Sequence, residues 1–217
     1  HIAMQDLDIR GAGNLLGAEQ SGFIADLGYE TYQKILKEAV TELRTQEFAE
    51  LDKAETLESA QEEYVADCVI ESDMELLLPA DYVPTESERI SLYQELDGIE
   101  RESDLLEFRS RLTDRFGAIP EVTLELLRIP TLRRLARRLG IEKVALKQGK
   151  MFTYFVDDNN KAYYQSEMFG RMVNYLTSNP RRVQIRDKNG RKSFAFLNIP
   201  SVETAVAILQ SIVDFKA

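Results

Sequence analysis

The chain has 217 residues, 44% of them hydrophobic and 29% charged, which suits one or two soluble domains with a proper core. One Cys excludes an internal disulfide framework or a Cys-based zinc cage and points to a cytoplasmic setting; the lone His1 leaves no Ser-His-Asp triad, His-x-x-x-His metal pair or Cys-His dyad. The net charge of −10 is unevenly spread, with 6 basic against 23 acidic side chains over residues 1–99 and 21 against 14 over residues 100–217, as expected of two regions with different partners or two faces that attract each other.

The start alternates loosely (Ile2, Met4, Leu7, Ile9) and runs into glycines at 11, 13, 17, 22 and 28, as though cut from the interior of a longer chain. Tyr32, Ile35, Leu36, Ala39, Val40 and Leu43 then recur at three- and four-residue spacing, an amphipathic helix. Residues 42–63 are acidic and poor in large apolar side chains, a linker or a solvated helix. Residues 64–71 are β-branched enough for a strand. Thr85-x-x-Glu88 reads as a capping box opening a helix with Ile90, Leu92, Tyr93 and Leu96. A second helix spans 103–116, with Leu105, Leu106, Phe108, Leu112 and Phe116 as its stripe and Gly117 as its stop. A third starts with Pro120 at its first position and runs to 139–140, kinked or broken by Pro130.

Beyond Gly140 the texture turns strand-like, with strands expected at 143–147, 151–156 and 161–165 and turns at 148–149 and 157–160. A helix at 166–176, two strands at 182–186 and 193–197 around Lys188-Asn189-Gly190, and a helix at 201–215 opening on Ser201-x-x-Thr204 complete the chain. Helices in a run followed by a meander give an α+β class: a small, mainly antiparallel sheet with several helices.

The glycine cluster, DLDIRGAGNLLGAEQSG, is the stretch richest in information. No Lys follows its glycines, so it is no Walker A loop, and the third glycine falls one residue late for a dinucleotide fingerprint. Spacing alone favours glycines that permit a tight turn, with a nucleotide-binding loop over Gly11–Gly17 left open. Arg10 offers a five-donor fork and Gln20 a neutral donor and acceptor, a pair suited to sensing a neighbour's position more than to catalysis.

That run and the following IADLGYETYQKIL closely resemble the translocation motif of bacterial transcription-repair coupling factors, a form of which occurs in the branch-migration helicase of stalled forks. LLLPADYVP, ERISLYQEL and LTDRFGAIP extend the resemblance through that family's C-terminal domain. The resemblance implies an N-terminal helical hairpin over 1–50, an acidic linker over 51–63 and an α+β regulatory domain over 64–217. It implies a superfamily 2 double-stranded DNA translocase that displaces stalled RNA polymerase and recruits an excision-repair damage-recognition protein. Arg10 and Gln20 then match the residues coupling ATP hydrolysis to movement, and Gly11, Gly13 and Gly17 shape the turn. ATP and Mg belong to the parent motor; this chain alone is expected to have no cofactor, no metal site and no ATPase activity. The C-terminal domain is expected to dock on an N-terminal module and mask it. Asp114 fits the acidic contact surface of such a clamp, whereas Arg111, one turn earlier, stands where another acid is expected.

Arg128, Arg133, Arg134, Arg137 and Arg138 form the densest basic cluster. Lacking interleaved aromatics, they read as a solvated or protein-contacting face, with a DNA-binding module as the alternative. The aromatics at 152–155 and 163–164 alternate as strands do and read as core and sheet packing more than as a base-stacking platform, and Cys68 reads as a buried small hydrophobe. No apolar run is long enough to cross a membrane.

Overall fold

The computed structural model describes residues 64–156, 160–188 and 191–215. The hairpin expected over 1–50 and the linker over 51–63 lie outside these, as do residues 157–159 and 189–190 of the two expected turns.

Five strands make one sheet: β1 (Val69–Ser72), β2 (Ile141–Lys147), β3 (Lys150–Phe155), β4 (Val183–Lys188) and β5 (Arg191–Leu197). Their order is β1-β2-β3-β5-β4; β1 runs parallel to β2 and the other pairings are antiparallel. A parallel pair needs a long crossover, supplied here by α1 (Glu86–Asp97), α2 (Glu102–Phe116), α3 (Glu121–Leu127) and α4 (Ile129–Arg138). Later come α5 (Lys161–Tyr164), α6 (Glu167–Ser178) and α7 (Val202–Val213). The fold is α+β with a mainly antiparallel sheet.

Local chemistry explains most boundaries. Gln148 and Gly149 both take positive φ (54° and 67°), the backbone that a two-residue β2–β3 hairpin requires. Ser166 and Ser201 each accept a hydrogen bond from the backbone N–H three residues on, Phe169 at 3.2 Å and Thr204 at 3.1 Å, capping α6 and α7. Arg128 closes α3 and opens α4, and Pro130 falls in the first turn of α4, where its missing N–H costs nothing. The proline therefore breaks the long helix cleanly.

Several expectations need correction. The strand expected at 64–71 forms only at Val69–Ser72, and Pro120 caps α3 instead of entering it. Residues 161–165 are not a strand: Lys161–Tyr164 is helical, with Tyr163 drawn into the core among Tyr64, Phe155, Tyr164 and Phe169. Thr85 is the N-cap of α1 but its side chain makes no capping bond. Glu88 is engaged instead by Arg115 of α2, and the buried Arg89 donates to the Val83 and Pro84 carbonyls at 2.7 and 3.1 Å.

The core lies on one face of the sheet. Val144, Leu146, Met151, Phe155, Phe194 and Phe196 join a continuous buried cluster with Leu132, Leu135 and Leu139 of the α4 region and Val202, Leu209 and Ile212 of α7. Each such leucine contributes roughly 1.5–3 kcal/mol by leaving water. The opposite face is different: Phe152 and Tyr154 are half-buried, and neither they nor Ala145 and Ala195 belong to the cluster. Of the aromatics at 152–155, Phe155 packs in the core, while Phe152 and Tyr154 pack on the other face of the sheet.

Candidate interdomain contact surface

Arg10, Gln20, Gly11, Gly13 and Gly17 lie outside the described residues. The site that the structure does describe is built on α2. Its inward stripe of Leu105, Phe108 and Leu112 is buried, whereas Leu106, expected in that stripe, is 61% exposed. Helix geometry gives the reason. A stripe of three- and four-residue steps passes through 105, 108 and 112, and position 106 falls about 100° from 105.

Leu106 lips an open groove of about 360 Å³ between α2, α3 and α7, with Leu124, Leu127 and Val206 on its floor and walls. The rim is charged and internally tied. Arg128 Nη1 sits 2.6 Å from Glu125 Oε1, and its Nη2 3.2 Å from Glu203 Oε1. The other Glu125 oxygen, Oε2, accepts from the backbone N–H groups of Val202 and Glu203, so a carboxylate stands at the N-terminus of α7 where the helix dipole favours it.

The two expected contact residues on α2 part company. Arg111 turns to Glu95 of α1, its guanidinium 5.6 Å from the Phe108 ring centroid. The Glu95 carboxylate holds the Arg111 guanidinium above its ordinary value. Asp114 is exposed and has no ion-pair or hydrogen-bond partner among the described residues, so its charge is free for a docking partner.

The arginine cluster points inward on the chain's own acids. Arg133 Nη2 lies 2.9 Å from Asp97 Oδ1 and its Nη1 3.2 Å from the Asp97 carbonyl, at the last residue of α1. Arg134 reaches Glu102 at 2.6 Å and Arg137 reaches Glu100 at 2.8 Å. Three arginines of α4 thus clamp the 97–102 turn, satisfying a helix-end carbonyl and neutralising an acidic loop. A row committed in this way is poorly placed to follow phosphates. Part of the charge asymmetry is therefore spent on two surfaces of one domain that attract each other.

Cys68 is a buried free thiol, pushed up to about 12 by desolvation. No cluster that could hold a metal ion occurs among the described residues, and none of their helices is long and apolar enough to cross a membrane. Sequence reasoning missed Arg89 and the Leu106 groove. The first looked like one more surface charge, and the second arises only from the packing of three helices.

Comparison with known proteins bears on this geometry. The transcription-repair-coupling factor of Escherichia coli (strain K12) is 34% identical over 195 residues, covering 88% of this chain and 16% of its own length. A family model for the TRCF domain matches residues 72–166, which include α2 and the clamped turn. The chain belongs to the transcription-repair coupling factor family. The coupling factor of Mycobacterium tuberculosis (strain CDC 1551 / Oshkosh) is 36% identical over 143 residues, 66% of this chain and 11% of its own. A crystal structure of a coupling-factor C-terminal domain superposes with a TM-score of 0.55 at 19% identity, covering 70% of this chain and 96% of that one, a likeness of fold. The chain spans about one sixth of the length of the curated relatives, 16% and 17% in the first two.

Proposed function

We propose that this chain is the regulatory C-terminal end of an ATP-dependent double-stranded DNA translocase that displaces stalled RNA polymerase and recruits nucleotide excision repair in the cytoplasm. In this reading residues 64–217 dock on an N-terminal module of the same protein and mask its site for the excision-repair damage-recognition protein. The hairpin over 1–50, through Arg10, Gln20 and its glycines, couples hydrolysis in the motor to movement. ATP and Mg act in the parent motor.

The observation that carries the reading is the α2 surface: an exposed, uncommitted Asp114 on a helix fastened to α1 at Glu95 and Glu88, which also carries the exposed Leu106 about two turns earlier. A rigid helix presenting a free charge suits a reversible, charge-steered contact. Neither a nucleotide loop nor a phosphate row has comparable support, since the α4 arginines are engaged within the domain.

The test is Asp114→Arg in the full-length coupling factor. Masking by this surface requires the variant to bind the damage-recognition protein more tightly than wild type, with an unchanged melting temperature. Equal binding by both proteins would remove α2 from the account.

A further inference from the structure

The sheet face turned away from the core forms a grid. Its strand register places Arg186, Ser193, Tyr154 and Lys143 in one row and Gln184, Ala195, Phe152 and Ala145 in the next. The third row holds Lys150, paired with Leu197 and Lys147; Arg182, whose carbonyl accepts from Leu197 N–H at 2.9 Å, extends it at the edge.

Two aromatic rings therefore stand side by side on β3, two residues and about 7 Å apart. On β5 the register sets a small residue beside each ring, Ser193 and Ala195; on β2 it sets Ala145 beside Phe152 and Lys143 beside Tyr154. Ser193 and Ala195 are themselves buried, and the Arg186 side chain reaches across β5 to the Phe152 ring. Cations surround the pair, with the Arg186 guanidinium 5.3 Å from the Phe152 centroid and the Lys143 ammonium 5.9 Å from that of Tyr154. Lys143 and Lys147 share one acid, Glu71, at 2.7 and 3.0 Å. Lys150, Arg182 and Arg186 have no ion-pair partner among the described residues.

The geometry points to this face as a binding platform for single-stranded nucleic acid, bases on Phe152 and Tyr154 and phosphates on Lys150, Arg182 and Arg186. Unpaired bases have free π-faces that stack on rings, while the backbone follows a cationic track. Duplex DNA buries its bases and offers the rings nothing. An acidic peptide would use the cations and leave two adjacent rings, flanked by small side chains on β5, without a role.

The test measures fluorescence anisotropy of labelled oligothymidylate and oligouridylate with the complete chain and with four variants. Phe152→Leu and Tyr154→Leu keep an apolar strand residue and remove the π-face; each is expected to weaken binding about five-fold or more. Arg186→Gln, at an exposed position, is expected to lower the salt slope by about 0.7. Glu71→Gln, which removes the negative charge shared by Lys143 and Lys147, is expected to tighten binding. The thymidylate and uridylate arms distinguish DNA from RNA as the source of the strand. Several results would overturn the proposal: no single-strand binding at low salt, binding indifferent to all four changes, or duplex bound as tightly as single strand. Poly-glutamate binding that matches the oligonucleotide and ignores both ring changes would assign the face to an acidic protein instead.

Discussion

Arg133 of α4 bonds both the side chain and the main-chain carbonyl of Asp97, at 2.9 and 3.2 Å, so that one guanidinium closes the C-terminus of α1. Both side chains are largely buried, 16% and 22% exposed, which lifts this pair above an ordinary surface ion pair. Asp97→Ala should cost about 1.5–3 kcal/mol, the range for hydrogen bonds to a charged group. Arg138→Ala, which removes no ion pair among the described residues, should stay within about 0.5 kcal/mol. Urea unfolding of the two variants checks the contrast; equal losses would show that the clamp carries no special weight.

Gly140 takes a φ of +71°, and a Cβ there would meet the Tyr163 ring at 2.2 Å. The tyrosine cannot withdraw freely, because its hydroxyl donates to the Leu139 carbonyl and four other rings surround it. Gly140→Ala should therefore destabilise by about 3 kcal/mol or more, combining backbone strain with overpacking. A melting temperature within a degree or two of wild type would contradict this.

Burial raises Cys68 from 9.0 and Tyr93 from 10.0, both to about 12. A folded-state value above the unfolded one contributes stability that is full below the unfolded value and is lost as pH rises towards the folded one. Stability should thus fall between about pH 9 and pH 12, as the unfolded chain ionises first. Cys68→Ala should flatten the first part of that decline, measured by urea midpoints across the range. In the native protein at neutral pH the thiol should resist a thiol-reactive dye and react only after unfolding.

Arg111→Glu exchanges a surface ion pair with Glu95 for a repulsion, costing no more than about 1 kcal/mol. It also supplies the second acid that the family resemblance leads one to expect beside Asp114. Binding of this chain to the N-terminal module should tighten, and weaken with added salt; a binding constant equal to that of wild type would separate Arg111 from the contact.

Much of the fold was legible because its cues are local. Gln148-Gly149, Ser166, Ser201 and Gly117 each mark an element's end by short-range chemistry, and the α+β class followed from the order of textures. The misses were tertiary. Residues 161–165 have strand-like composition, but Tyr163 gains more by entering the core from a helical turn. The capping box at Thr85 dissolved because Glu88 is held by Arg115, 27 residues on. The arginine row could be seen from sequence, yet its partners, 32 to 37 residues away, could not. The two faces of β3 were equally hidden: alternation shows that 152 and 154 share a side, not which side meets the helices.

The purified chain should show no ATP turnover above buffer with or without duplex DNA, since its sequence holds no Walker A loop. A steady-state phosphate-release assay checks this.

The central claim, that residues 64–217 restrain the parent protein, is tested most directly by mixing. The coupling factor truncated to remove this region is titrated with the 217-residue chain while binding of the damage-recognition protein is measured. The account predicts strong binding by the truncated protein, suppressed as the chain is added and not suppressed by the Asp114→Arg chain. Binding that stays constant through the titration would contradict it.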